Sequence, residues 1–142
     1  MSEAITSGER RRVTVLVYSS NDTTRARVLG ALGVHPAPEI EVTYVEASTG
    51  AEVVARTDAG GIDIAILDGE AAPTGGIGLC RQLKDELDEP PPVLLLVGRR
   101  DDAWLATWSR AEGVTAHPVE AVRITEAVLR LLVPAGTAVA GH

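Results

Sequence analysis

The chain has 142 residues, of which 45% are hydrophobic and 23% charged, and its formal net charge is -7. This length suits one domain, and the composition is typical of a folded protein rather than a disordered one. The acidic balance argues against binding nucleic acid or an anionic membrane through bulk charge, and no apolar run could span a bilayer. Because a signal-peptide pattern is lacking and the single cysteine, Cys80, has no partner, we expect a cytoplasmic protein with a buried thiol.

Five apolar, strand-like segments alternate with five segments of helical pattern. The predicted strands cover residues 13–18, 40–45, 62–67, 93–97 and 114–116. The predicted helices cover residues 23–32, 50–56, 77–87 and 119–132, with one more helix from a cap at Asp101 or Asp102 through Ala111. In the second helix we expect Ala51, Val54 and Ala55 to face inward. Residues 1–11 and 134–142 are expected to be disordered tails around a domain of residues 12–133.

Strict alternation of apolar strands and helices predicts a parallel sheet covered on both faces. The common solution for five such units is an α/β fold of the flavodoxin-like, doubly wound (βα)5 type, with strand order 2-1-3-4-5. Ligands of these sheets bind beyond the carboxyl ends of the strands, where the strand order reverses. The residues expected to converge there are Ser19, Ser20, Asp68, Val97, Gly98 and His117.

Asp68 is the charged residue at this edge that needs an explanation. From the residues alone it is either a turn cap or a carboxylate presented to a cation or an electrophile. The segment Ile64–Asp68, followed by Pro73 and Gly76 before a helix, resembles the phosphoacceptor region of response regulator receiver domains. His117-Pro118 matches the place of that family's Lys-Pro, and the resemblance extends over residues 12–132. It implies that Asp68 stands at the position of the phosphorylated aspartate.

Several positions depart from the receiver pattern. Ser19 and Ser20 replace the acidic pair that holds Mg²⁺. Val97 replaces the hydroxyl residue after the fourth strand, and His117 replaces the lysine. Val114 replaces the switch aromatic. Mg²⁺ prefers several hard oxygen ligands, and phosphoryl transfer to a carboxylate needs its negative charge neutralised. We therefore expect neither a bound metal or other cofactor, nor a catalytic residue, nor efficient phosphotransfer to Asp68.

These departures predict an atypical, single-domain response regulator that is not an enzyme and acts through protein–protein interaction. The resemblance implies a contact surface made by the fourth helix, the fifth strand and the fifth helix. Trp104 and Trp108 are four residues apart in the fourth helix, so they share one face, which we expect on that surface unless the rings pack against the sheet. The same surface could form a homodimer. We also expect Asp68 to pair with His117, Arg99 or Arg100.

Two alternatives stay open. A flavodoxin-like protein would hold the phosphate of FMN on the loop Ser19–Thr24, where hydroxyls and backbone amides suit a phosphate but Asp22 adds an unfavourable charge. A weakly phosphorylatable receiver would still form a phosphate adduct at Asp68.

Overall fold

The computed structural model describes residues 11–132, which form a five-stranded sheet with helices on both faces. The strands are β1 (Arg11–Tyr18), β2 (Ile40–Ala47), β3 (Ile64–Asp68), β4 (Val93–Val97) and β5 (Gly113–Ala116). The helices are α1 (Asp22–Leu32), α2 (Gly50–Ala59), α3 (Gly76–Glu86), α4 (Trp104–Ser109) and α5 (Ala121–Leu132). The predicted tails, apart from Arg11 at the start of β1, lie outside the described residues. No helix within residues 11–132 is long and apolar enough to cross a membrane.

The strand order is β2-β1-β3-β4-β5, and every neighbouring pair is parallel, which confirms the predicted fold. The register aligns the carboxyl ends of the central strands. Tyr18 pairs with Leu67, and Asp68 pairs with Leu96. The residues that follow β1, β3 and β5 therefore lie at one edge of the sheet.

The core consists of two apolar layers, one on each face of the sheet. On one face, alternate strand residues pack beneath α1 and α5, which contribute Val28, Leu32, Ile124 and Val128. On the other face, the opposite set of strand residues packs beneath α2 and α3, which contribute Val53, Leu79, Cys80 and Leu83. Because β3 and β4 are covered on both sides, all their residues are buried, as expected for central parallel strands.

Cys80 belongs to this second layer. Its Sγ is 3.3 Å from the carbonyl oxygen of Ser109, to which it donates, and burial raises the pKa of its thiol. A buried thiol with a raised pKa is a poor nucleophile, so Cys80 is a packing residue that also joins α3 to α4.

The predicted inward face of α2 was wrong for two of its three residues, since only Val54 packs, partly buried, against the core. Ala51 and Ala55 are exposed, whereas Val53 and Thr57, four residues apart, are buried. The buried hydroxyl of Thr57 donates to the carbonyl oxygen of Val53, so this polar side chain is satisfied within its own helix.

The fourth helix also differs from its prediction. Asp101 and Asp102 lie in a single 3₁₀ turn (Arg100–Asp102) rather than capping the helix, and α4 begins at Trp104 without a side-chain cap. Asp102 pairs with Arg99 at 3.7 Å instead. The helix ends after Ser109 because Arg110 adopts a left-handed conformation, with φ of 68°. The result is a helix of 6 residues.

Candidate functional site

Ser19, Asp68 and His117, here called the strand-end cluster, follow or end β1, β3 and β5. Asp68 is 3% exposed and Ser19 is fully buried. The hydroxyl of Ser19 donates to Oδ2 of Asp68 at 2.7 Å, and Nε2 of His117 lies 3.0 Å from Oδ1. The backbone N–H of His117 donates to the carbonyl oxygen of Val97, which fixes its position beside β4. The structure thus joins three residues that the sequence placed at this edge.

The other cationic candidates do not contact Asp68. Arg99 forms the ion pair with Asp102, and Arg100 lines a groove next to α5. Of the three partners expected from the sequence, the structure selects His117.

Asp68 also caps a turn. Its Oδ1 accepts a hydrogen bond from the backbone N–H of Glu70 at 2.9 Å, the geometry expected when an aspartate begins a turn. Gly76 lies so close to this turn that a Cβ atom would be 2.7 Å from the carbonyl oxygen of Asp68. Only glycine fits there, so the Asp-to-Gly spacing noted in the sequence has a steric cause. Of the two interpretations left open by the sequence, the structure thus shows the turn cap.

Two side chains from the end of β1 hold the loop of residues 69–75. The hydroxyl of Ser20 accepts from the backbone N–H of Ala72 at 3.1 Å, and the phenol of Tyr18 donates to the carbonyl oxygen of Thr74. Burial and the charge of Asp68 raise the pKa of Tyr18. The two positions at which the resemblance implies an acidic pair thus make structural hydrogen bonds instead, one to Asp68 and one to this loop.

The oxygen atoms at this edge are engaged in hydrogen bonds within the chain. Both carboxylate oxygens of Asp68 already accept hydrogen bonds, and the Ser20 hydroxyl accepts from the loop. Within residues 11–132, no three His, Cys, Asp or Glu side chains come together as a metal site would need. Mg²⁺ requires near-octahedral oxygen ligands and gives up its water reluctantly. The side-chain oxygens at this edge come from two carboxylates, Asp68 and Glu70, and from two serine hydroxyls.

Two further side chains, those of Val97 and Glu70, lie at the same edge of the sheet. Val97 is 1% exposed and packs into the layer beneath α2 and α3, so it offers no donor to a ligand. The carboxylate of Glu70 lies against Gly98, since a Cβ atom added to Gly98 would be 3.0 Å from Glu70 Oε2. The sequence analysis missed Glu70. The feature of the sequence that could have identified Glu70 is its position two residues after Asp68, in the loop that follows the strand end.

The amino terminus of α1, which a flavin phosphate would use, is capped by its own chain. Oδ1 of Asn21 accepts from the backbone N–H groups of Thr23 and Thr24, at 2.8 and 3.3 Å. A phosphate bound at the start of a helix would need the same backbone N–H groups as hydrogen-bond donors. The loop geometry therefore weighs against the flavin alternative.

Trp104 and Trp108 share one face of α4, as their spacing predicts, but that face is directed outward and toward α3. Trp104 is 63% and Trp108 is 50% exposed. The guanidinium carbon of Arg81 in α3 is 4.7 Å from the centroid of the Trp108 ring, and Nη1 of Arg81 donates to the Trp108 carbonyl oxygen. The groove between α4, β5 and α5 is lined by Ala103 rather than by either tryptophan. Both rings are thus exposed rather than packed against the sheet, and their expected place on the surface made by α4, β5 and α5 stays a prediction.

Comparisons with known proteins agree on one kind of molecule, although no protein-family model matches the chain. The chain is 56% identical, over 119 residues, to uncharacterized response regulatory proteins of two Mycobacterium tuberculosis strains, covering 83% of this chain and 90% of each relative. A response regulator receiver domain protein from Clostridium thermocellum superposes with a TM-score of 0.69 at 22% identity, covering 84% of this chain and 94% of that one. A Saccharomyces cerevisiae receiver domain, co-crystallised with a histidine phosphotransfer signaling protein, gives 0.71 at 18% identity, covering 89% and 96%.

Proposed function

The chain belongs to the response regulator family, and on that premise we propose that it is an atypical receiver domain that signals by binding another protein, without efficient phosphorylation of Asp68. The observation that carries the proposal is the strand-end cluster, in which the carboxylate of Asp68 is buried and its hydrogen bonds come from the chain itself.

A phosphoryl group on Asp68 would have to displace these contacts. Oδ2 would lose the Ser19 hydroxyl, or Oδ1 would lose His117 and the turn N–H of Glu70. Hydrogen bonds to a charged group contribute about 1.5–3 kcal/mol each, so their loss disfavours the modified state. The unmodified carboxylate is therefore the favoured form.

The surroundings also provide little to stabilise a phosphoryl group. Val97 has no hydroxyl, and the carboxylate of Glu70 against Gly98 places another negative charge at the same edge. Serines stand at positions 19 and 20, where the resemblance implies the acidic pair that holds the neutralising Mg²⁺ in such chemistry. Together these features support a receiver that keeps its aspartate as a structural group.

A protein partner is supported by the family and by the exposed aromatic surface. The yeast receiver domain described above was solved together with a second signalling protein. In the present chain Trp104 is 63% and Trp108 is 50% exposed, and tryptophan is enriched in binding hot spots. We assign the partner surface to α4, β5 and α5, extended by the outward tryptophan face of α4. A second copy of the chain is one possible occupant of that surface.

Acetyl phosphate with Mg²⁺, followed by intact-mass measurement, tests the phosphorylation part. We expect no adduct on the natural chain under conditions that modify a variant with the family residues restored: Ser19→Glu, Ser20→Asp, Val97→Thr and His117→Lys. Circular dichroism must show that this variant is folded. An adduct on the natural chain that disappears in Asp68→Asn would identify a working phosphoacceptor and contradict the proposal.

Partner capture tests the interaction part. The tagged chain is purified from its native cells in parallel with Trp104→Ala and Trp108→Ala, and size-exclusion chromatography with light scattering reports any homodimer. A partner that is retained by both variants would exclude the tryptophan face. If the purified chain carries flavin absorbance, the cofactor alternative replaces this proposal.

A further inference from the structure

A histidine stands opposite the buried carboxylate of the strand-end cluster. Nε2 of His117 lies 3.0 Å from Oδ1 of Asp68, and the side chain of His117 is 25% exposed. The imidazole therefore contacts the buried carboxylate and is also open to solvent. Histidine gains and loses its proton between about pH 5 and 8, so within that range the ring facing Asp68 is either charged or neutral.

On the side of β1 and β3, the titratable groups near Asp68 do not balance its negative charge. The carboxylate of Glu70, in the loop after β3, adds a second negative charge at the same edge. Burial and, after it, the charge of Asp68 raise the pKa of Tyr18, so this phenol stays neutral. Arg25 of α1 pairs with Glu46 at 3.0 Å. The counter-charge for Asp68 must therefore come from the other side.

On the side of β4 and α5, His117 borders a depression of about 210 Å³ whose other charged side chains are Arg100, Glu120 and Arg123. Arg123 pairs with Glu120 at 2.9 Å, and both arginines are exposed. Within residues 11–132, His117 is the one cationic side chain at ion-pair distance from Asp68. The charge that faces the buried carboxylate is therefore set by the protonation of a single imidazole.

The imidazole belongs to the segment of residues 117–120, which joins β5 to α5 without regular secondary structure. Backbone hydrogen bonds hold the two ends of this segment. The N–H of His117 donates to the carbonyl oxygen of Val97 at 2.8 Å, and the N–H of Ile124 donates to that of Glu120 at 3.0 Å. The imidazole adds a side-chain contact to the sheet. A hydrogen bond between two charged groups is roughly twice as strong as a neutral one, so protonation strengthens this contact.

We propose that the pair of His117 and Asp68 is a proton-sensitive contact, which holds the segment of residues 117–120 against the sheet when the imidazole is charged and loosens it when the imidazole is neutral. Since an ionised carboxylate only accepts hydrogen bonds, Nε2 carries a hydrogen in both states, and the proton is gained from solvent and lost to it at Nδ1. The inference rests on the proposed function in one respect, namely that Asp68 remains an unmodified carboxylate.

NMR titration of the full chain between about pH 5 and 8 tests the pairing. The ring signals of His117 should show one proton transition, and Asp68→Asn should lower its midpoint by at least about half a pH unit, because the facing negative charge is removed. His35 is the internal control, since its Nδ1 lies 3.1 Å from the uncharged carbonyl oxygen of Ile40. Its midpoint should stay the same in the variant. An unchanged midpoint for His117, or equal changes for both rings, would overturn the proposal.

Amide hydrogen exchange tests the loosening of the segment. After correction for the intrinsic effect of pH, protection of the backbone N–H at position 117 should decrease at least about threefold from about pH 5 to about pH 8. His117→Gln keeps an N–H donor toward Asp68 but has no proton to gain, so its protection should be equal at both pH values.

Constant protection in the natural chain, or the same decrease in His117→Gln, would contradict the proposal, and this comparison does not depend on whether Asp68→Asn folds. Both experiments use the chain alone. Their failure would leave partner capture untouched, whereas a phosphate adduct on Asp68 would remove the proposed function first.

Discussion

The strand-end cluster and the groove beside α5 lie next to each other but use charge in opposite ways. At the cluster, the carboxylate of Asp68 is buried and its hydrogen bonds come from Ser19, Glu70 and His117. At the groove, the side chains of Arg100, Arg123 and Arg130 are exposed. Polar groups that are satisfied internally hold the fold together, whereas exposed ones are available to a partner. Mutations in the two regions should therefore separate stability from binding.

Asp68→Ala should give the largest loss of stability. It removes a buried acceptor and leaves the Ser19 hydroxyl, the Glu70 N–H and the His117 ring without their partner. Loss of one member of a buried, hydrogen-bonded charged group costs roughly 3 kcal/mol or more. We expect the free energy of unfolding, measured by urea denaturation with circular dichroism, to decrease by that amount.

The matched change in the other region is Arg130→Ala, which removes an exposed charge from the groove. Exposed positions of this kind usually change the free energy of unfolding by less than about 0.5 kcal/mol. Equal stability losses for Asp68→Ala and Arg130→Ala would remove the distinction between the two regions.

Ser19→Ala and Ser20→Ala offer a closer comparison, since the same atom is deleted from adjacent residues. Ser19 is fully buried, donates to Asp68 and accepts from the backbone N–H of Asn21, whereas Ser20 is exposed and accepts one loop hydrogen bond. We expect a loss of about 2 kcal/mol for Ser19→Ala and of about 0.5 kcal/mol for Ser20→Ala in the same denaturation assay. The reverse order would show that loop tethering, rather than the buried carboxylate, dominates this edge.

The fold was predictable because alternating apolar strands and helices permit few arrangements, and the strand ends then fixed which residues could meet. Ser19, Asp68 and His117 were found in this way. Glu70 was not, since the direction of a loop side chain depends on the loop's own backbone. The buried residues Val53 and Thr57 of α2 were also missed, because alanines at 51 and 55 give a weak periodic signal and Thr57 is a polar residue type.

Whether the tryptophans are exposed or packed against the sheet could not be decided from the sequence for a related reason. Their four-residue spacing fixes a common face, but the orientation of that face depends on where α4 begins. A 3₁₀ turn at Arg100–Asp102 moves that start to Trp104, and nothing in the sequence pattern distinguishes this turn from a continuous helix.

Tyr18 reports on the charge of Asp68, and Tyr44 serves as the control. Burial raises the pKa of Tyr44 to about 12, and burial together with the negative charge of Asp68 raises that of Tyr18. In Asp68→Asn we expect the pKa of Tyr18 to decrease and that of Tyr44 to stay unchanged, as measured by tyrosinate absorbance. Tyr44→Phe assigns the two transitions. If Tyr18 does not respond, Asp68 carries no charge that reaches it.

Tyr44 also gives a pH dependence with a defined sign. Its phenol donates to the carbonyl oxygen of Gly33 at 2.6 Å. Because its folded pKa lies above the ordinary value of 10.0, loss of the proton favours the unfolded chain. The contribution of Tyr44 to stability is therefore complete below pH 10.0 and is lost as the pH rises toward about 12. Urea denaturation of the natural chain should show this decrease, and Tyr44→Phe should show less of it.

The smallest expected effect is a difference in stability between variants of the two tryptophans. Trp108 contacts Arg81 of α3, whereas Trp104 is the more exposed ring. Trp108→Leu removes the ring beneath the Arg81 guanidinium, a cation–π contact that contributes about 0.5 kcal/mol at an exposed site. Trp104→Leu is the matched control, since Trp104 is the more exposed ring on the same face. In urea denaturation Trp108→Leu should be the less stable variant by that amount, and Arg81→Ala should abolish the difference. If the difference persists without Arg81, the ring of Trp108 is held by its packing rather than by the cation, and both rings then belong to one apolar surface available to a partner.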